Sequence, residues 1–369
     1  MPPGLAAGRM KGLSVDWKLS AEQEAYQEAF RGWLADVAPA RTVRRWLDDA
    51  DASAFQSRFA ADGWAGVGLP EGLGGQGGGL IELALTAEEL ARAAAPSAAW
   101  LTTVLAVPAL SGRGGLADAA LAGQTVAFLA SAETVPDQAA PLAADAAGTL
   151  TGTVPRVLAG DAAAWFVVPV GQGVVHELRL IDASDPGVTR IRRHLLDRSR
   201  SSADITLDHV PSAGLAADAA AVLTQASARA AVLVAADALG ATERMLDLAV
   251  EYSKQRRQFG VPIGSFQAVK HAAAAIEVGV EAARTAVHFA AASVDAGDPQ
   301  SLLHAAAVKA QVTADGARAA ESALTMHGAI GYTWEYDLHL FFKRAKLDRE
   351  LYGAPRAWNE RIADGLALV

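Results

Sequence analysis

The chain has 369 residues, 51% of them hydrophobic and 20% charged, a length and balance that fit two or three packed domains and exclude a disordered or fibrous protein. Lys and Arg number 32 against 41 Asp and Glu, and the formal charge of -9 argues against nucleic acid and anionic lipid as partners of the whole molecule. The absence of cysteine excludes disulfides and thiolate sites, and the eight histidines are scattered without an HExxH pattern, so no metal site is expected.

Residues 19–122 read as a helical domain. Ser20 followed by Gln23 has capping-box spacing, and Tyr26, Phe30, Trp33 and Leu34 then recur at helical intervals until Pro39. The run from Gly72 to Gly79 matches GxGxxG at Gly72, Gly74 and Gly77. However, Pro70 interrupts the only candidate strand before it and no βαβ repeat surrounds it, so it reads as a turn ahead of a helix over Leu80–Arg92.

From 123 to 216 the texture changes to short apolar runs separated by Gly, Pro and Asp, among them Val126–Leu129, Trp165–Val168, Leu178–Ile181 and Ile205–Leu207. Strand-length segments at hairpin spacing predict a small β domain, with Ala139–Ala147 too Ala-rich and polar to place. Residues 217–369 are helical again and Ala-rich, broken at Gly260–Pro262, Asp295–Pro299 and Gly328–Gly331. There Phe266, Val269, Ala273, Ile276 and Val280 fall at steps of three and four and predict a bundle seam. The fold class is therefore α+β, mainly α. No apolar run reaches the roughly 20 residues that span a bilayer, and Met1–Lys11 lacks the apolar stretch of a secretory signal, so a soluble cytoplasmic protein is expected.

The segment Tyr252–Gln267 joins the basic end of one helix to a Gly/Pro corner and a new helix opening at Ser265. Its guanidinium groups suit a pyrophosphate and Phe259 offers a face to an aromatic ring, although bases at a helix C-terminus also simply offset the macrodipole. The run RRQFGVPIGSFQ resembles the RxQFGxPIxxFQ signature of acyl-CoA dehydrogenases, and His327–Glu335 is similar to that family's QxxGGxGYxxE. Weaker similarity covers Leu69-Pro70-Glu71, Leu196–Arg198 and Asp208–Pro211.

The resemblance implies a helical N-terminal domain, a β middle domain and a C-terminal four-helix bundle, with FAD as cofactor and a tetramer as assembly. It implies that Arg256 meets the flavin pyrophosphate of a neighbouring subunit, and that Phe259 and Gln267 meet the adenosine end. The turn from Thr325 through His327 and Gly328 to Ala329 would add backbone contacts. The chain departs from the pattern at Thr325, where the family has Gln, at Ala329 in place of Gly, and at Pro155-Arg156-Val157, where a Trp-Ile-Thr element is usual.

The family removes the substrate α-proton with a Glu in a Tyr-Glu-Gly-Thr turn, or with a Glu on the helix before RxQFG. Those positions fall on Tyr352 and Ala230, so no catalytic residue is assigned. Glu335, Asp337, Asp348 and Glu350 are expected on the bundle surface or paired with Lys343, Arg344 and Arg349, and Trp100, Trp334 and Trp358 as packing residues. Arg229 lies two residues from a substrate-contacting Arg of some relatives.

The resemblance therefore implies an FAD-dependent acyl-CoA dehydrogenase subunit that acts on an acyl-CoA substrate. Short Glu-less forms resemble one subunit of heteromeric actinobacterial enzymes for steroid-type thioesters, so a second, Glu-bearing acyl-CoA dehydrogenase-like partner and a heterotetramer are expected. A homomer with a relocated base and a flavin-free structural paralogue are the alternatives.

Overall fold

The structure is a computed structural model that describes residues 18–172 and 174–366. Helix α1 (Ala21–Val37) starts at its capping box: the Gln23 N–H donates to the Ser20 hydroxyl and the Ser20 N–H donates to the Gln23 side chain. Its Phe30 meets Phe59 of α3 (Ser53–Ala61) edge-on and Trp64 beyond it, while Trp46 of α2 (Ala40–Asp49) packs on Phe55.

The glycine run makes tight turns pinned by a Leu69–Gly77 bridge and leads into α4 (Leu80–Arg92). At the start of that helix the N–H groups of Leu80 and Ile81 donate to the carboxylate of Asp295, so the bundle caps a helix of the N-terminal domain. Helices α5 (Ala98–Ala106) and α6 (Gly114–Leu121) complete this part.

Among the described residues the middle part holds eight strands: β1 (Thr125–Phe128), β2 (Leu142–Ala144), β3 (Thr149–Leu158), β4 (Ala163–Gln172), β5 (Val174–Asp182), β6 (Val188–Arg193), β7 (Ser202–Pro211) and β8 (Ala213–Leu215). They form two four-stranded sheets, β1-β4-β5-β8 and β2-β3-β7-β6, antiparallel except for the β1–β4 pair. Leu150, Val154, Ile205 and Leu207 from one sheet share a core with Phe166, Val168 and Ile181 from the other. The Ala-rich stretch Ala139–Ala147 supplies β2, an edge strand of three residues, too short to show alternation.

The C-terminal part contains α7 (Ala219–Gln255), the short strands β9 (Arg257–Gln258) and β10 (Val261–Pro262), then α8 (Gln267–Asp295), α9 (Ser301–His327), α10 (Leu338–Glu350) and α11 (Pro355–Gly365). Among the described residues α7 is long and apolar enough to cross a membrane, yet it is the core helix, mostly buried against α4, α8, α9 and α10. It approaches α4 so closely that a side chain at Gly240 would overlap the Glu88 carbonyl. The expected seam of α8 is buried at Ile276 and Val280, but Phe266 precedes the helix as its N-cap and stays part-exposed, so the seam starts at Val269.

Candidate functional site

Helix α7 ends where Arg256 turns to extended backbone, and the Ile263 N–H donating to the Arg256 carbonyl at 2.8 Å closes the hairpin of β9 and β10. At its tip Phe259 (φ 52°) and Gly260 (φ 80°) both lie in the left-handed region. Arg257 is committed to this hairpin, donating to the Gly260 carbonyl at 2.7 Å. The Arg256 guanidinium, in contrast, is exposed and has no hydrogen bond or ion pair among the described residues. Phe259 is 93% exposed, with the Phe266 ring set perpendicular to it at a centroid distance of 6.2 Å, and Gln267 opens α8 as an exposed residue.

The end of α9 stands beside this corner because His327 stacks on Tyr252 with ring centroids 4.9 Å apart. His327 is buried, with Nδ1 2.7 Å from the Ala323 carbonyl and Nε2 3.2 Å from the Tyr336 hydroxyl, and burial lowers its pKa. Its ring therefore fixes the turn from inside rather than facing solvent. The Thr325 hydroxyl is also spent, donating to Glu321 of its own helix at 2.9 Å. What this turn presents outward is Thr325, Gly328 and Ala329, all three exposed. The structure thus brings all seven predicted cofactor residues to one end of the bundle. An unpaired cation, an exposed ring and an open turn have the chemistry to hold part of a dinucleotide.

The turn after α10 is built the opposite way. Tyr352 (φ 54°) is 1% exposed, and its N–H donates at 2.6 Å to the Ala132 carbonyl of the middle domain. The Trp358 indole donates to the Tyr352 carbonyl at 3.1 Å, and Gly353 is wedged between Trp358 and Val135, either of which a side chain there would meet at 3.0 Å. The phenol hydroxyl lies near Thr102 without a well-formed hydrogen bond, and burial raises its pKa above the usual range. Ala230 is fully buried. Nearby, on the middle domain, the exposed Arg156 pairs with Glu133 and its N–H donates to Asp204.

Beneath Tyr352 lies an ionic cluster that the sequence does not reveal. Arg344 grips Asp237 with two bonds of 2.7 Å, and donates to the Ala95 carbonyl and to the Ser97 hydroxyl. Arg200 pairs with the same Asp237 at 2.7 Å and with Asp348. Burial works against the charge of Asp237, but the two guanidinium groups outweigh it and hold the carboxyl at about 2. Burial pushes Asp348 well above the usual carboxylate range despite Arg200. Asp348 is thus neither on the surface nor paired with Lys343, Arg344 or Arg349, as expected from sequence. Its partner comes from the β6–β7 loop, and no local pattern encodes a contact of that separation.

The other carboxylates are ordinary. Glu335 is exposed, Asp337 pairs with Arg44 at 2.6 Å, and Glu350 pairs with Arg349 at 2.5 Å. Trp358 is buried, whereas Trp334 is 60% exposed with the Lys343 ammonium 3.6 Å from its ring centre, a correction to its expected packing role. Arg229 donates to the Val104 carbonyl at 3.0 Å. A groove of about 1100 Å³ beside the Tyr352 turn runs between Glu133–Gln138, the start of α7, Gly353 and Trp358. Among the described residues Glu133, Asp137, Glu360 and Asp364 face it, with Arg361 as its one cation.

Residues 20–115 match the acyl-CoA dehydrogenase N-terminal domain family and residues 220–366 the acyl-CoA dehydrogenase C-terminal domain family. The chain is 32% identical over 352 residues to the acyl-CoA dehydrogenase IpdE2 of Mycolicibacterium smegmatis, an alignment covering 93% of this chain and 98% of that protein. It is 33% identical over 365 residues to the acyl-CoA dehydrogenase FadE34 of Mycobacterium tuberculosis, covering 92% of this chain and 47% of that one, so it spans about half the length of this relative.

Among solved structures, a Tcur3481–Tcur3483 steroid ACAD variant superposes with a TM-score of 0.84 at 27% identity, covering 94% of this chain and 98% of that one. Butyryl-CoA dehydrogenase from Megasphaera elsdenii gives 0.83 at 22% identity, covering 95% and 99%, a likeness of fold. The cofactor of this family is FAD. With both terminal domains matched and full-length similarity to IpdE2, the chain belongs to the acyl-CoA dehydrogenase family.

Proposed function

We propose that this chain is one subunit of an FAD-dependent acyl-CoA dehydrogenase that desaturates an acyl-CoA thioester between its α and β carbons. The Glu that removes the α-proton belongs to a partner chain, in a heterotetramer. The observation that carries this reading is the contrast between an open, unpaired Arg256 corner and a Tyr352 turn that is packed shut. FAD, when bound, accepts the hydride from the β-carbon.

This chain's part is to hold that dinucleotide from outside. Arg256 meets the pyrophosphate with charge-assisted hydrogen bonds, Phe259 and Gln267 flank the adenosine end, and His327 keeps the Thr325–Ala329 turn in place. Tyr352 cannot take the α-proton. A phenol of ordinary pKa ~10 is ionised about one part in a thousand at pH 7, and burial lowers that fraction further. The groove beside the Tyr352 turn presents four carboxylates and one Arg among the described residues, a poor match for the phosphates of CoA. Similarity to the steroid ACAD variant supports a bulky, steroid-type acyl group as the substrate.

The test is co-expression with a Glu-bearing homologue from the same host, reading flavin absorbance and acyl-CoA-dependent reduction of an artificial acceptor. The complex should hold flavin and turn over, and the chain alone should do neither. Tight FAD and turnover by the chain alone would point to a homomer with a relocated base. An assembled complex that never holds flavin would make this chain a structural paralogue.

A further inference from the structure

The exposed Trp334 and the lysine on its ring stand in the wall of a pocket that the proposed reaction leaves unused. Its volume is about 270 Å³, and it lies where α2, the loop between β6 and β7 and the start of α10 meet. Leu47, Leu196 and Leu340 form its apolar side, and three cations, Arg44, Arg198 and Lys343, line the rest. Two of the cations are engaged. Arg44 donates twice to Asp337, at 2.8 and 2.6 Å, and Arg198 donates to the Leu47 carbonyl, with the exposed Asp48 a loose 3.4 Å away. Lys343 is the exception: its ammonium rests on the Trp334 ring and makes no hydrogen bond or ion pair among the described residues.

The same wall holds a buried acid. Asp197 is 3% exposed, and its Oδ1 accepts from the Ser199 N–H at 2.9 Å and from the Ser199 hydroxyl at 2.6 Å. Its Oδ2 has no hydrogen-bond partner among the described residues, although the Arg200 charge lies near enough to steady the carboxylate. A buried carboxylate oxygen without a donor is costly, and native proteins leave few of them. Burial, and after it the Arg198 charge, presses the pKa of Lys343 below that of a free lysine. Burial and the charges of Lys343 and Arg44 likewise lower that of His339, which packs edge-on against Trp334. The pocket thus sets crowded positive charge beside one acceptor that needs a donor.

We propose that this pocket binds a hydrogen-phosphate group, free or as the head of a phosphomonoester, with Lys343 and Arg198 donating to its charged oxygens and Asp197 Oδ2 accepting from its P–OH. The compact charge of a lysine and the fork of an arginine both suit phosphate oxygens. A carboxylate or a sulfate would satisfy the cations equally, but it has no hydrogen for Asp197 and sets a lone pair against that carboxylate. Free phosphate keeps a hydroxyl throughout the neutral range, and a monoester with a second pKa of about 6 keeps one within easy reach of it. Trp334 and Leu196, each 60% exposed, offer an apolar platform to an organic group carried on the phosphate. The site shares no residue with the Arg256 corner and requires neither a flavin nor a partner chain.

The experiment is calorimetric titration of the full chain with inorganic phosphate at neutral pH and fixed ionic strength, repeated with sulfate. Phosphate should bind one site per chain, and sulfate at least about a hundredfold more weakly, because it lacks the hydrogen that a buried acceptor needs. Lys343→Met and Arg198→Met should each weaken phosphate about ten- to a hundredfold. Asp197→Asn keeps an oxygen for Ser199 and offers an amide donor in place of Oδ2, so sulfate should come within about tenfold of phosphate. Arg256→Ala should leave the phosphate titration unchanged, which separates this site from the flavin corner. Phenyl phosphate tells the two sources apart: binding about tenfold tighter than phosphate marks a monoester seated on Trp334, and equal binding marks the free ion. Absence of phosphate binding, equal affinity for sulfate in the unaltered chain, or phosphate binding that Arg256→Ala removes overturns the proposal. The two titrations of the unaltered chain decide the matter even if a variant does not fold.

Discussion

Two turns close bundle helices in this molecule, and each places an aromatic residue at positive φ: Phe259 at 52° after α7 and Tyr352 at 54° after α10. A non-glycine residue held there costs about 1–3 kcal/mol. At Tyr352 the chain itself offsets that cost, burying the ring to 1% exposure and bonding its N–H to Ala132 and its carbonyl to Trp358. At Phe259 the chain offers much less, an edge-on Phe266 ring and the Arg257 bond to the Gly260 carbonyl. The ring is 93% exposed and the neighbouring Arg256 is unpaired. Similar backbone is therefore treated in opposite ways, a closed turn complete in itself and an open one that, in the function proposed above, another molecule completes.

The largest effects should come from breaking the closed side. Arg344→Ala breaks a buried ion pair, leaving Asp237 with Arg200 as its remaining guanidinium partner, and should lose about 3–5 kcal/mol of folding free energy, read by denaturant unfolding. Tyr352→Gly relieves the backbone but empties an aromatic-sized space, so it too should lose about 3–5 kcal/mol. If either variant is as stable as the original chain, the closed turn is not held by the contacts described.

On the open side stability and binding should separate. Arg256→Ala should leave unfolding within about 0.5 kcal/mol of the original, because the side chain has no polar partner to lose. The same change should weaken flavin retention in the assembled complex by about 1.5–3 kcal/mol, roughly ten- to a hundred-fold. Phe259→Gly should be the mildest, changing stability by less than about 1 kcal/mol as relief of the left-handed strain and the added freedom of glycine nearly cancel. Its flavin retention should still fall. Equal flavin affinity in the Arg256→Ala complex would remove the corner from the cofactor site.

The two turns are unequally legible in the sequence. RRQFGVPIGSFQ is contiguous, so the corner can be placed residue by residue, and the capping box at Ser20 and the helix Leu80–Arg92 follow from local spacing. The alignment of Tyr352 with a Glu position is also local. Its closure is not, because beyond the nearby Trp358 it depends on Ala132 of the middle domain and on Lys309 of α9, both far away in the sequence. Asp348 reads as a surface residue because its neighbours Lys346, Arg349 and Glu350 are charged, and its true partner Arg200 lies 148 residues earlier, in the middle domain. Trp334 shows the converse, a residue type that suggests packing but is left exposed beneath Lys343.

The proposed function rests above all on Tyr352 filling a vacated base position while the carboxylate comes from another chain. Tyr352→Phe keeps the ring and removes only a hydroxyl without a well-formed hydrogen bond, so the reconstituted complex should retain turnover within a few-fold, with flavin content and assembly unchanged. A Glu→Gln change in the partner's base should abolish turnover in the same assay. A loss on the order of 10²-fold or more from Tyr352→Phe, the usual scale for removing a general base, with flavin and assembly intact, would contradict the account and make Tyr352 the base.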